Sequence, residues 1–113
     1  MHEYSIVQAL LERVTAEARQ RGARSVHRLT VTVGELAGVE TALLATAYDT
    51  FRQGTVCAEA PLDIRTVKAR WECPSCGRAL SRGAVLACAD CGRAARLAEG
   101  DEIVLETVEL EVP

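Results

Sequence analysis

Cys73-Pro74-Ser75-Cys76-Gly77 and Cys88-Ala89-Asp90-Cys91-Gly92 decide how this chain is read. Both stretches follow one pattern, C-x2-C-G, with eleven residues between Cys76 and Cys88. In each, a tight turn can set two thiolates on one metal, and the glycine relieves the positive-φ strain of that turn. Four sulfurs leave no open coordination position. The spacing therefore predicts a closed, structural Zn(II) site built from Cys73, Cys76, Cys88 and Cys91. The competing assignment is a pair of disulfides, which belongs to secreted chains. The start Met1-His2-Glu3-Tyr4 has no basic region followed by an apolar stretch, so no signal peptide is read and a cytoplasmic, reducing setting is expected. The eleven-residue spacer is compact, yet long enough for two short strands and a turn.

Working outward, the flanking chain reads as an α/β core interrupted by this module. From about residue 5 to 21, Val7, Leu10, Leu11, Val14 and Ala18 recur at three- and four-residue steps, the period of an amphipathic helix. Ser5 and Gln8 fit a capping box at its start, and Gly22 is its stop. Between His27 and Gly34, Leu29, Val31 and Val33 alternate with Thr30 and Thr32, as in a half-buried strand. A second helix is expected from about Glu40 to Gln53, with Leu43, Leu44, Ala47 and Phe51 on its apolar stripe. Leu62 to Ala69 reads as a second strand, opened by Pro61. Ile103 to Val112 reads as a third, and its inward parity flips near Thr107, which suggests a bulge or a sheet covered on both faces. The fold class is thus α+β: a small sheet of about three strands with two helices, plus an inserted four-cysteine zinc-ribbon-like module. Residues 1–70 and 98–113 make one α/β domain, and 71–97 make the zinc-binding domain.

Composition narrows the function. The chain has 113 residues, 49% of them hydrophobic and 26% charged, as in one ordinary globular domain or a core with a small metal-stapled insert. No apolar run approaches the roughly 18 residues needed to cross a bilayer, so no membrane role is expected. A net charge of −3 argues against a general nucleic-acid binder. Arg78, Arg82, Arg93 and Arg96 nevertheless make the zinc module basic, and Glu99, Asp101, Glu102, Glu106, Glu109 and Glu111 make the C-terminal segment acidic.

A second chemical feature lies at the amino terminus. Met1 should survive processing, because His2 is too large for removal of the residue before it. A free amine, the His2 amide nitrogen and the His2 imidazole can then chelate one metal through fused rings. Ni(II) and Cu(II) displace an amide proton readily, whereas Zn(II) and Mg(II) rarely do, and a planar nitrogen set suits those two metals. The Glu3 amide or carboxylate could complete the square. The amine and His2 must give up protons to bind, so affinity should fall on acidification.

Met1-His2-Glu3-Tyr4-Ser5-Ile6-Val7 resembles the start of the HypA/HybF family of hydrogenase nickel-insertion proteins. The resemblance continues through Val33-Gly34-Glu35-Leu36, Thr50-Phe51-Arg52, Ala60-Pro61-Leu62-Asp63-Ile64, both C-x2-C-G stretches and Glu102 to Glu111. It implies a nickel metallochaperone and not an enzyme, with Ni(II) bound through Met1, His2 and Glu3 and delivered, and Zn(II) kept as structure. His2 is the essential ligand on that basis, and the α/β domain is the nickel-binding one. The implied partners are the GTPase HypB and the large-subunit precursor of [NiFe] hydrogenase; some relatives also serve urease. Glu40 matches a position that is acidic in some relatives and would lie near the nickel. A histidine that some relatives carry beside the zinc module is missing, since His2 and His27 are the only two here. A homodimer formed by exchange of an edge element is compatible with this sequence.

Two other functions fit parts of the chain. One is a zinc-ribbon module binding RNA or an acidic protein through its arginines, with affinity that falls with salt. The other is a rubredoxin-like electron carrier, with iron on the same four thiolates. Both leave the Met-His-Glu start unexplained. Cys57, the odd thiol, reads as a buried, inert residue, and Trp71 as the side chain that packs the zinc module against the core.

Overall fold

Alternation of β-branched and leucine residues builds the centre of the molecule. In the computed structural model, which describes residues 2–80, 87–88 and 92–113, strand β1 (Ser25–Gly34) buries Val26, Leu29, Val31 and Val33 on one face. Helix α1 (His2–Gln20) lays Val7, Leu11, Val14 and Ala18 on the same side, and α2 (Thr41–Phe51) adds Leu44, Ala47 and Tyr48. These residues, with Cys57 and Ala60, form a continuous core. Each large side chain so buried contributes on the order of 1.5–3 kcal/mol.

After β1 the chain crosses through α2 and returns as β2 (Leu62–Val67), parallel to β1, as such a crossover requires. Two short strands follow, β3 (Arg70–Glu72) and β4 (Ala79–Leu80), then β5 (Arg96–Glu99) and β6 (Ile103–Glu111). Strand β6 runs antiparallel to β1 on its other side, so the first sheet has the order β2-β1-β6. The pairing slips between Thr30↔Thr107 and Val31↔Leu105, placing the expected irregularity at Glu106. The second sheet, β4-β3-β5, lies between β2 and β6 in the chain.

Three backbone segments cross where the two sheets meet. Gly34 N–H donates to Glu102 O, Glu35 N–H to Val67 O and Leu36 N–H to Gly100 O, each at 2.8 Å. The Glu35 carboxylate accepts from the Ala69 amide at 2.5 Å. A Cβ on Gly34 would overlap the Gly100 carbonyl, and Gly100 itself has φ 110°, so both positions demand glycine. The strands entering and leaving the second sheet are thereby clamped to the end of β1.

Several expectations need correction. Helix α1 begins at His2, not near residue 5, so Ser5 and Gln8 lie inside it and form no N-terminal capping box. Its other end is as expected: Gly22 has φ 64°, and Ala23 N–H reaches back to Ala18 O at 2.8 Å. Leu43 is 51% exposed; the buried stripe of α2 passes through Leu44, Ala47 and Tyr48 instead. Trp71 stands opposite Leu80 and Leu97 within the second sheet and is not one of the residues packed on the main core. The second sheet has three strands, of which β4 lies within the eleven-residue spacer between Cys76 and Cys88, while β3 and β5 flank the cysteine turns.

Candidate metal centre

The second sheet hangs on two equivalent turns. At the first, Cys73 N–H donates to Arg78 O and Gly77 N–H donates back to Cys73 O, both at 2.9 Å. At the second, Cys88 N–H donates to Arg93 O at 2.9 Å and Gly92 N–H to Cys88 O at 2.8 Å. Gly77 and Gly92 close these turns with φ 74° and 65°, which a side chain would strain. Sequence symmetry has become structural symmetry. The Ser75 amide also points at Cys73 Sγ, 3.4 Å away, the kind of donor that favours a thiolate.

The turns bring Cys73, Cys76 and Cys88 together with all three sulfurs within 4.8 Å of one another, two of the residues buried and one exposed. The Cys76 and Cys88 sulfurs are 3.8 Å apart. A disulfide needs about 2.05 Å. Sulfurs tetrahedrally placed at roughly 2.3 Å from a zinc ion are roughly 3.8 Å apart. The donor set thus fits a zinc site, and no disulfide joins the described cysteines. Cys91 lies outside the described residues.

Cys57 is elsewhere, fully buried in the main core. Burial pushes its thiol up, as it does the neighbouring Tyr48 phenol. Tyr48 Oη and Arg52 Nη1 both donate to Ala60 O at 2.7 Å, and the Arg52 guanidinium lies 5.4 Å from the Tyr48 ring centroid. Cys57 is therefore a neutral core thiol, as expected.

At the other end of the molecule, His2 is the first helical residue of α1, and Met1 lies outside the described residues. Glu3, in the first turn, accepts from the Glu40 amide through Oε2 at 3.4 Å. Glu40 is the N-cap residue of α2 and makes no side-chain cap bond. Tyr4 meets Phe51, in the last turn of α2, edge to face at 5.3 Å. Helix α2 therefore lies across the start of α1 and holds it at both of its own ends. The Glu35 clamp and the Tyr4–Phe51 pair escaped the sequence reading. Only the Val-Gly-Glu-Leu stretch, with its glycine after a buried strand, hinted at the first.

The likeness to known proteins extends over the whole length. A family model described as "Hydrogenase/urease nickel incorporation, metallochaperone, hypA" matches residues 1–110. The hydrogenase maturation factor HypA of Aquifex aeolicus is 38% identical over 99% of both chains. That of Wolinella succinogenes is 39% identical over 98% of this chain and 96% of its own. The solution structure of the Ni metallochaperone HypA from Helicobacter pylori superposes with a TM-score of 0.73 at 29% identity, covering 98% of each chain. A further HypA solution structure reaches 0.81 at 31% identity, over 97% of this chain and 96% of that one. With two helices on a three-stranded sheet, a thiol cluster on a second sheet and this full-length match, the chain belongs to the HypA family of nickel-incorporation metallochaperones for hydrogenase and urease.

Proposed function

We propose that this protein binds Ni(II) through Met1, His2 and Glu3 and delivers it for [NiFe] hydrogenase maturation, without catalysing a reaction itself. The observation that carries this reading is the helical start at His2 within a full-length family match. The first N–H groups of a helix have no intrahelical acceptor, so the His2 and Glu3 amides are spare for a metal. The helix macrodipole favours negative charge there, which eases loss of an amide proton to Ni(II). The Glu3 carboxylate, held by the Glu40 amide, would fix the first turn so that the amide nitrogens and the imidazole of His2 meet one ion. Copper outranks nickel at nitrogen sites, so discrimination against it falls to supply and to partners.

Cys73, Cys76, Cys88 and Cys91 would hold zinc as a closed site, and residues 71–97 would be the zinc-binding domain beside a nickel-binding domain of 1–70 and 98–113. When bound, zinc supplies folding energy rather than chemistry. The partners of this reading are the GTPase HypB and the hydrogenase large-subunit precursor, met in the cytoplasm. No helix among the described residues is long and apolar enough to cross a membrane.

Calorimetric titration of Ni(II) into tag-free, zinc-loaded protein tests the terminal site, beside His2→Ala and a one-residue N-terminal extension. The extension moves the amine from its place next to His2 without altering any side chain. Saturable binding should be lost or weakened strongly in both variants. Binding unchanged in both would place nickel elsewhere and end the terminal-chelate reading.

A further inference from the structure

Strand β6 has one strand neighbour, β1, among the described residues. Its other edge carries backbone N–H and C=O groups ready to pair with another chain. Exposed edges are commonly blunted by charged side chains, lysine above all, by proline or by bulges. Ile103–Glu111 contains neither lysine nor proline, and its irregularity at Glu106 leaves Thr107–Glu111 beyond it.

The two rows of side chains on β6 differ sharply. Leu105, Val108 and Leu110 are half-buried and point towards α1, while Glu106, Glu109 and Glu111 are exposed. Between the apolar row and α1 runs an open trough of about 740 Å³, walled by Arg13, Glu17, Arg21 and, at the irregularity of β6, Glu106, and continued by Val112, which is 57% exposed. A second hollow of about 250 Å³, sharing Arg13 and Leu105, carries the trough on to Ile6, about one helical turn from His2.

We propose that the open edge of β6 docks an extended segment of a partner protein in which apolar and basic residues alternate. An added strand would put every second side chain into the trough, against Leu105, Val108 and Leu110, where an apolar residue fits. The intervening side chains would lie beside Glu109 and Glu111, where lysine or arginine fits. Cross-strand pairs of these kinds are each worth roughly 0.2–1 kcal/mol, and like charges opposite one another destabilise. A second copy of this chain, paired antiparallel through the same edge, would set its glutamate row against this one. Charge thus selects a basic partner strand over self-pairing. The surface does not involve the terminal metal ligands, but its far end lies beside their helix.

The probe is the heptapeptide acetyl-Lys-Val-Lys-Val-Lys-Val-Lys-amide, titrated into nitrogen-15-labelled, zinc-loaded full-length protein. A peptide of the same composition with its lysines in one block and its valines in another serves as control. Saturable amide shifts should centre on 105–112, with slower hydrogen exchange in β6, for the alternating peptide alone. Glu109→Lys should weaken that binding about tenfold. Val112→Asp, at an exposed site beyond the strand where folding is not at stake, should weaken it as well. Equal shifts from both peptides, spread over the acidic surface, would reduce the effect to unspecific charge and overturn the proposal. Peptide-free protein that is dimeric, with the outer amides of β6 already protected, would overturn it too and assign the edge to a second copy.

Discussion

The two sheets are held together by different physics. The first, β2-β1-β6, lies under two helices with a core that includes Val14, Leu29, Val31, Leu44 and Tyr48. In the second, among the described residues of 70–99, the only buried side chains are Cys73 and Cys88. Beyond those thiols it has mainly the half-buried Trp71, Leu80 and Leu97 and a few ion pairs: Arg96 donates to Glu72, and Arg70 reaches Glu99 across β3 and β5. Exposed ion pairs contribute little. The Arg96 guanidinium does hold the Glu72 carboxyl below its ordinary range, but Arg96 itself is exposed, and such a pair is no basis for a fold. One sheet is made by burying apolar surface, and the other centres on a thiol cluster fit to hold a metal.

The sharpest way to break this comparison is to take the metal away. A strong chelator, or Cys88→Ser, should abolish amide-exchange protection throughout β3, β4 and β5 while β1 and β2 keep theirs. The proposed structural zinc would supply folding energy that this sheet has little core to replace. Exchange mapped by nuclear magnetic resonance reads both sheets in one sample. Simultaneous loss from both would mean that the Gly34–Gly100 clamp makes them a single cooperative unit, and the contrast drawn above would be wrong.

The reverse experiment should leave the second sheet alone. Leu29 is fully buried at the centre of β1, so Leu29→Ala removes transfer energy and leaves a cavity, about 2–5 kcal/mol by comparison with other core leucines. Urea unfolding followed by exchange should show that loss in β1, β2 and β6. The turns at Cys73 and Cys88 should keep their signals until the clamp itself opens. An effect below about 1 kcal/mol would say that β1 is not the keystone of this core.

How far each region was legible follows from the same contrast. The cysteine turns are local: Cys73 to Gly77 and Cys88 to Gly92 each hold their own geometry in five residues, so spacing alone reveals them. The inward row Leu29, Val31, Val33 is equally local, because strand period is written in adjacent residues. What escaped depends on residues distant in sequence. Leu43 and Leu44 are equivalent in composition, and only the position of β1 beneath α2 decides that Leu44 is buried and Leu43 exposed. Tyr48 reads as amphipathic until Ala60 supplies a carbonyl for its hydroxyl. The strand β5, Arg96–Glu99, has no alternating pattern to announce it, and exists because β3 offers an edge. The Glu35 clamp joins residues 34 apart. For the amino-terminal segment, the motif was visible, while its support from α2 through Glu3 and Tyr4 was not.

The smallest test concerns a titratable group that only the buried core contains. Cys57 has no exposure, and desolvation raises its thiol above the ordinary range of about 8.5. In the unfolded chain the thiol ionises at that ordinary value; in the folded chain it stays neutral to higher pH. A raised folded-state value means that its contribution is fully present below about pH 8.5 and is lost as pH climbs towards the raised value. Tyr48 has the same sign, with its onset near the tyrosine range of about 10. Cys57→Ala should therefore be less stable than the parent at neutral pH, by about 1 kcal/mol for the lost volume. That deficit should shrink between about pH 8 and about pH 10, because the variant no longer gains from ionising when it unfolds. Urea midpoints for the first sheet, measured at several pH values on both proteins, read the difference directly. The other cysteines ionise alike in both and cancel. Curves that stay parallel over that interval would mean the Cys57 thiol is no harder to ionise in the folded core than in the open chain, and the sealed, apolar character assigned to this half of the molecule would fail at that residue.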